Sequence, residues 1–207
     1  MVDAARDKHW ISVYEDKAPD AVSWYQAEPE PSLMALKRLE RASSSSIIDV
    51  GGGASNLVDA LLEQGWDDIT VLDIVAPALE VAKLRLGAKA AKVHWQVADI
   101  TNWQPPRKYD VWHDRAVFHF LTEAEQREAY REALYIGLSK GGLVIMATFA
   151  LDGPQKCSGL PVQRYDADGL ARELGPQFRL IESWREKHVT PWGSGQEFNW
   201  CAFRLIS

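Results

Sequence analysis

The sequence predicts an α/β fold: a mainly parallel seven-stranded sheet with helices on both faces, closed by an antiparallel C-terminal hairpin. Three observations carry this expectation. Between residues 47 and 148, short apolar runs alternate with stretches of helical period, the pattern of strand–helix–strand crossovers. After residue 178, two long strand-like runs follow one another with no helix between them. They are joined by Thr190-Pro191-Trp192-Gly193-Ser194-Gly195, a turn-rich connection that suits an antiparallel hairpin. The chain has 207 residues, a length that one hydrophobic core still covers, so a single domain over 1–207 is expected.

Taken in order, residues 1–30 mix charged positions with Trp10, Tyr14, Trp24 and Tyr25. They end in Glu28-Pro29-Glu30-Pro31, a turn signal, so residues 1–31 read as an N-terminal cap segment. A helix is expected over 32–41, with Leu33, Leu36 and Leu39 on or near one face. Ser43 to Ser46 form a short polar hinge. Strands are expected over 47–50, 69–73, 93–98, 109–113 and 143–148, with helices over 55–64, 77–86 and 123–138. A short helix over 166–173 then precedes the hairpin strands, 178–187 and 196–205. In an open α/β sheet a ligand sits at the carboxyl ends of the strands, where strand order reverses. The loops after the first four strands are therefore where chemistry is expected.

Composition narrows the function classes. Net charge is -6, with no block of like charges, so nothing in the balance draws the chain to nucleic acid or an anionic membrane. Cys157 and Cys201 are the only cysteines, too few and too far apart for a disulfide framework or a zinc site, and no metal is expected. The charged N-terminus lacks the apolar core of a secretory signal, and no apolar run approaches the ~18 residues of a membrane span. A cytoplasmic protein, monomeric or a small homo-oligomer, is expected.

The first chemical loop is Asp49-Val50-Gly51-Gly52-Gly53-Ala54-Ser55, directly after the first strand. Glycines there let the backbone turn sharply and let a ligand come close, and the helix that follows offers unpaired N–H groups. Asp73 ends the second strand, where a carboxylate can accept hydrogen bonds from both hydroxyls of a ribose. A dinucleotide fingerprint would place a third glycine at position 56, which is Asn56. That failure argues against a nicotinamide oxidoreductase. Asp49 also suits a cationic ligand better than a pyrophosphate, because a carboxylate beside phosphates is electrostatically unfavourable.

With these residues in view, the chain resembles the class I S-adenosylmethionine-dependent methyltransferases, a Rossmann-like superfamily. Their first motif, Asp/Glu-x-Gly-x-Gly-x-Gly, is matched by Asp49, Gly51 and Gly53, with Ser55 in place of the last glycine. Their ribose acid is matched by Asp73. The Asp that reaches the adenine amino group is matched by Asp99, and the acid or aromatic at the end of strand four by His113 and Asp114. Leu138-Ser139-Lys140-Gly141-Gly142 is similar to the turn that leads these enzymes into strand five. The resemblance covers residues 45–150 and implies S-adenosyl-L-methionine as cofactor. It would be held by Asp49, Gly51, Gly52, Gly53, Ser55, Asn56, Asp73, Asp99, His113 and Asp114, with Ile74 and Ile100 against the adenine. Trp24 and Tyr25 would close over it.

Methyl transfer is an in-line displacement, so the protein must align the reactants and, for a protonated nucleophile, supply a base. His113, Asp114, Arg115 and His119 lie near strand four, and His119 has the near-neutral chemistry of a base. In the acceptor-side segment 151–207, Cys157 offers a thiolate for a soft acceptor and His188 a second base. Motifs of nucleic-acid base methylases such as Asn-Pro-Pro-Tyr are absent, and His113-Asp114-Arg115-Ala116 stands in their place. A small-molecule acceptor is the expected substrate. A protein side chain of the lysine type is the alternative, and a cofactor-binding partner module without activity a remote one.

Overall fold

The computed structural model describes residues 4–206. It opens with α1 (Ala4–Asp16) and α2 (Glu30–Arg38), then alternates β1 (Ile47–Val50), α3 (Leu57–Glu63), β2 (Ile69–Asp73), α4 (Ala76–Leu86), β3 (Val93–Val97) and β4 (Tyr109–Arg115). A 3-10 turn (Phe118–Phe120) leads to α5 (Ala124–Gly137) and β5 (Leu138–Phe149). The short ribbon β6 (Lys156–Cys157) and β7 (Leu160–Pro161) precedes α6 (Ala167–Leu174), β8 (Phe178–Val189) and β9 (Gly195–Leu205).

The sheet order is β3-β2-β1-β4-β5-β9-β8, with β1 to β5 parallel and β9 antiparallel to both its neighbours. Crossovers run outward from β1 to β3, and the chain then returns to place β4 on the other side of β1. That reversal opens a crevice at the carboxyl ends of β1 and β4.

Side chains alternate across the sheet. Ile47, Val111, Ile145 and Trp200 face α2, α3 and α4, whereas Ile48, Trp112, Val144 and Phe203 face α5 and α6. Each layer is apolar because a parallel sheet covered on both faces must bury both sets. The Trp112 indole N–H is satisfied by the Tyr130 hydroxyl of α5 at 2.9 Å.

The structure moves several expected boundaries. Helix α2 starts at Glu30 because Pro31 suits a first helical turn, where its missing N–H costs no bond. Helix α3 starts at Leu57, after Ser55 Oγ accepts from the Leu57 N–H at 3.1 Å. Strand β5 runs through Gly141 and Gly142 to Phe149, a stretch expected to be a turn, with a register shift against β4 that absorbs it. Helix α1 and the β6–β7 ribbon lie where no regular element was expected. Among the described residues, the first of these buries only Val13, too little for an apolar period to show. Among the described residues, no helix is long and apolar enough to cross a membrane.

Leu134 of α5 is fully buried against the sheet. Leu134→Ala should lower unfolding stability by about 2–5 kcal/mol, read by urea denaturation, because the truncated site leaves a cavity.

Candidate functional site

The crevice holds two adjoining lobes that share Trp24, Val50, Gly51 and Arg115. Their floor is the glycine loop. Gly51 turns with φ +69°, and its N–H donates to the Leu72 carbonyl at 2.7 Å, fastening the end of β1 to β2. A Cβ at Gly51 would stand 2.1 Å from Val117 Cγ2, so both conformation and space demand glycine. Gly52 lies against the Asp49 carboxylate, and Gly53 faces Asp73 and the Tyr14 hydroxyl. Arg85 of α4 braces the loop from behind, donating to the Ala54 and Ser55 carbonyls.

The first lobe runs from Asp73 past Ile74 and Ile100 to Asp99. Asp73 is buried, and its Oδ1 accepts from the Val75 N–H at 3.1 Å. Burial, reinforced by the Asp49 charge, pushes this carboxyl up to about 7. Asp99 Oδ1 accepts from the Thr101 N–H and hydroxyl, while its Oδ2 pairs with Arg6 of α1 at 2.5 Å.

Helix α1 roofs this lobe. Arg6, Trp10 and Tyr14 recur every four residues along one helix face and all line the cavity. Trp10 sits edge-on against Trp24 at 5.6 Å and Phe120 at 5.2 Å. That i, i+4, i+8 stripe is the signal by which the sequence could have revealed the roof.

The second lobe is bounded by Asp49, Tyr25 and Asn56. Asp49 bonds His113 Nδ1 at 2.7 Å, and His113 Nε2 reaches the Ser32 hydroxyl at 3.0 Å. His113 thus fixes the Asp49 carboxylate while lining the cavity itself. Asn56 donates to the Gln26 and Ala27 carbonyls, tying the segment that carries Trp24 and Tyr25 to the glycine loop.

Four expectations are corrected. Asp114 does not line the cavity: alternation along β4 turns it to the opposite face, where it accepts from Tyr130 at 2.6 Å and from the Val117 N–H at 2.8 Å. Its site role in the cofactor set is withdrawn. His119 is fully buried among Phe120 and Phe149, with Nδ1 accepting from the Phe149 N–H at 3.3 Å. Burial and the Arg115 charge drive its pKa down to about 3, so it packs as a neutral ring rather than serving as a base. His188 lines neither lobe; its Nε2 donates to the Ser23 carbonyl at 2.7 Å and tethers the cap segment. Cys157 does line the first lobe, but burial pushes its thiol up to about 11, and it is not a thiolate.

Arg115 belongs to both lobes; the sequence placed it among the candidates near strand four without a specific role. It shares a strand face with His113, two residues earlier, and period-two alternation from Asp49's partner is the signal that points to it. Among the described residues, no three His, Cys, Asp or Glu side chains gather to hold a metal ion.

The Asp73 carboxyl keeps its proton up to about 7 in the fold, whereas the unfolded chain releases it near 3.8. A raised carboxylate pKa contributes stability at low pH that is lost as pH rises through this window. Asp73→Asn should therefore gain stability relative to the wild type as pH rises from 3.8 to about 7, in urea denaturation without ligand. A difference that stays constant with pH would contradict this electrostatic picture.

Comparison with known proteins agrees with this geometry. The family model of the methyltransferase domain matches residues 47–142. A curated relative, malonyl-[acyl-carrier protein] O-methyltransferase 2 of Ilyobacter polytropus, is 27% identical over 108 residues, covering 52% of this chain and 40% of that protein. The chain thus matches well under half the length of that relative. The solved S-adenosylmethionine-dependent methyltransferase of Anabaena variabilis superposes with a TM-score of 0.77 at 18% identity, covering 99% of this chain and 95% of its own. The 1,6-didemethyltoxoflavin-N1-methyltransferase of Burkholderia thailandensis, solved with S-adenosylhomocysteine, gives 0.69 at 19% identity, covering 98% and 85%. At these identities the solved structures speak for the fold, and the family model speaks for the glycine loop and strands β1 to β4. Residues 47–142 thus match the methyltransferase domain, and the chain as a whole shares the fold of S-adenosylmethionine-dependent methyltransferases.

Proposed function

We propose that this protein transfers the methyl group of S-adenosylmethionine to a small-molecule acceptor. The observation that carries the reading is the buried Asp73 carboxylate, set between the Gly51–Gly53 turn and Ile74 in a cavity roofed by aromatic side chains. The residues fit the cofactor chemically. Asp73 suits ribose hydroxyls, Ile74 and Ile100 an adenine ring, and the Asp49 end an ammonium group. Asp99 suits the adenine amine, in exchange for part of its present bonding to Arg6. Cofactor-bound, the site gains an electrophilic methyl on a sulfonium.

What the chain itself contributes is placement and exclusion of water. Trp10, Trp24 and Phe120 supply an apolar wall, and aromatic faces are favourable neighbours for a sulfonium. The two histidines the sequence offered as bases do not line the lobes: His119 is buried away from them, and His188 spends Nε2 on the Ser23 carbonyl, while His113 is held by Asp49 and Ser32. An acceptor atom that presents its own lone pair at working pH, as a carboxylate, a neutral amine or an already ionised thiol does, suits such a site. The roof formed by α1 favours a small acceptor over a folded protein surface. The name of one solved neighbour, a 1,6-didemethyltoxoflavin-N1-methyltransferase, points the same way, whereas the curated relative is named for malonyl-[acyl-carrier protein], an acceptor carried on a protein.

Above pH 7, where the carboxyl is ionised, Asp73→Ala should weaken S-adenosylhomocysteine binding by about 1.5–3 kcal/mol, as for the loss of hydrogen bonds to a charged group, measured by calorimetry. Unchanged affinity would remove Asp73 from the ribose role. To locate the acceptor, the protein is incubated with methyl-labelled cofactor and a cell extract split by ultrafiltration. Label is expected in the small-molecule filtrate. Label confined to the retained protein fraction would replace the free small acceptor with a protein-borne one.

A further inference from the structure

Arg115 ends β4 where the two lobes meet, with a tenth of its side-chain surface exposed. Its hydrogen bonding is lopsided. Nη1 donates to the Trp24 carbonyl at 3.1 Å, while Nε and Nη2 have no partner among the described residues. These two atoms form the side-on edge of the guanidinium, the parallel pair of N–H groups that matches the two oxygens of a carboxylate.

The neighbours explain why the fork stays open. Phe198 lies 4.9 Å from the guanidinium carbon and offers a ring face but no acceptor. Glu186 is the nearest carboxylate, at 3.8 Å from Nη2, beyond hydrogen-bond range. Both Glu186 oxygens are already engaged, one by the Trp200 indole N–H at 2.5 Å and the other by Gln26 at 3.2 Å. The carboxylate therefore offsets part of the charge without filling the fork. A buried cation with two unpaired donors is costly unless something else completes it.

We propose that Arg115 is the receptor for a carboxylate-type anion bound in the cavity, held bidentately by Nε and Nη2. The inference rests on reading the cavity as the cofactor and acceptor site. Two ligands can bring this chemistry there: the amino-acid carboxylate of the cofactor, from the second lobe, or an anionic group of the acceptor, from the first. Either one places Arg115 as a binding residue that fixes ligand orientation, since a two-point contact sets direction as well as distance.

The test compares wild type with Arg115→Met, which keeps the length of the side chain without its charge, and Arg115→Lys, which keeps the charge without the fork. S-adenosylhomocysteine and 5′-methylthioadenosine are titrated calorimetrically into each. Methylthioadenosine has no carboxylate, so its binding reports an intact fold and an intact adenosine site. In a second arm, protein saturated with S-adenosylhomocysteine is melted in acetate and in acetamide at matched ionic strength. If the cofactor supplies the anion, Arg115→Met weakens S-adenosylhomocysteine by roughly ten- to a hundredfold, leaves methylthioadenosine unchanged, and Arg115→Lys restores only part. If the acceptor supplies it, acetate but not acetamide raises the melting temperature of the wild type, and Arg115→Met abolishes that rise. Equal affinities and equal acetate responses in all three proteins would overturn the assignment. Failure of even the wild type to bind S-adenosylhomocysteine would instead strike the functional reading on which it rests.

Discussion

The contact between Gly51 and Val117 is the constraint on which the crevice depends. Gly51 turns the chain at φ +69° just where strand order reverses, with Val117 pressed into the space a side chain would fill. Its N–H and that of Gly52 both reach the Leu72 carbonyl, so the carboxyl ends of β1 and β2 are held together. On the other side Asp49 reaches across to His113 of β4. Three strand ends are thus locked around one turn, and the cavity is what remains above them. A side chain at this position would have to push either the turn or the loop after β4 out of place.

Alternation across the sheet then decides which side chains the cavity receives. Odd-numbered positions of β4 from Val111 to Arg115 share the face of Asp49, and even-numbered ones share the face of α5. Asp114 is the clearest consequence. Directly beside two cavity residues, it is spent on Tyr130 and on the turn that follows the strand. Burial pushes its carboxyl up to about 6 even so, because hydrogen bonds recover only part of the lost hydration.

Much of this was legible in the sequence, for reasons that differ by residue. Asp73 and the glycine loop are bound to strand ends by local turn chemistry, so their positions follow once the strands are found. Strand β2 (Ile69–Asp73) has the expected bounds because Ile69, Thr70 and Val71 are β-branched and Leu72 is apolar, with turn signals outside. Asp114, His119 and His188 were misjudged because their chemistry was read without the direction of their side chains. His119 looks like a base in one dimension, yet it points between aromatic rings. Helix α1 was hidden because its inward stripe is Arg6, Trp10 and Tyr14, a mixed set whose apolar character shows only against the Trp24 and Phe120 it covers. Long-range register, not local pattern, carries that information.

The cavity that emerges is furnished to hold a ligand, and neither histidine expected as a base lines it. Carboxylates at Asp49, Asp73 and Asp99 mark points along its length, and aromatic side chains seal it from above. This favours a reaction driven by the ligand's own electrophile over one that needs a protein base. The most direct test of that account is calorimetric titration of the wild-type protein with S-adenosylhomocysteine and, separately, with NAD. Saturable heat from S-adenosylhomocysteine in the micromolar range, with none from NAD, is the predicted result. Binding of NAD alone would contradict it.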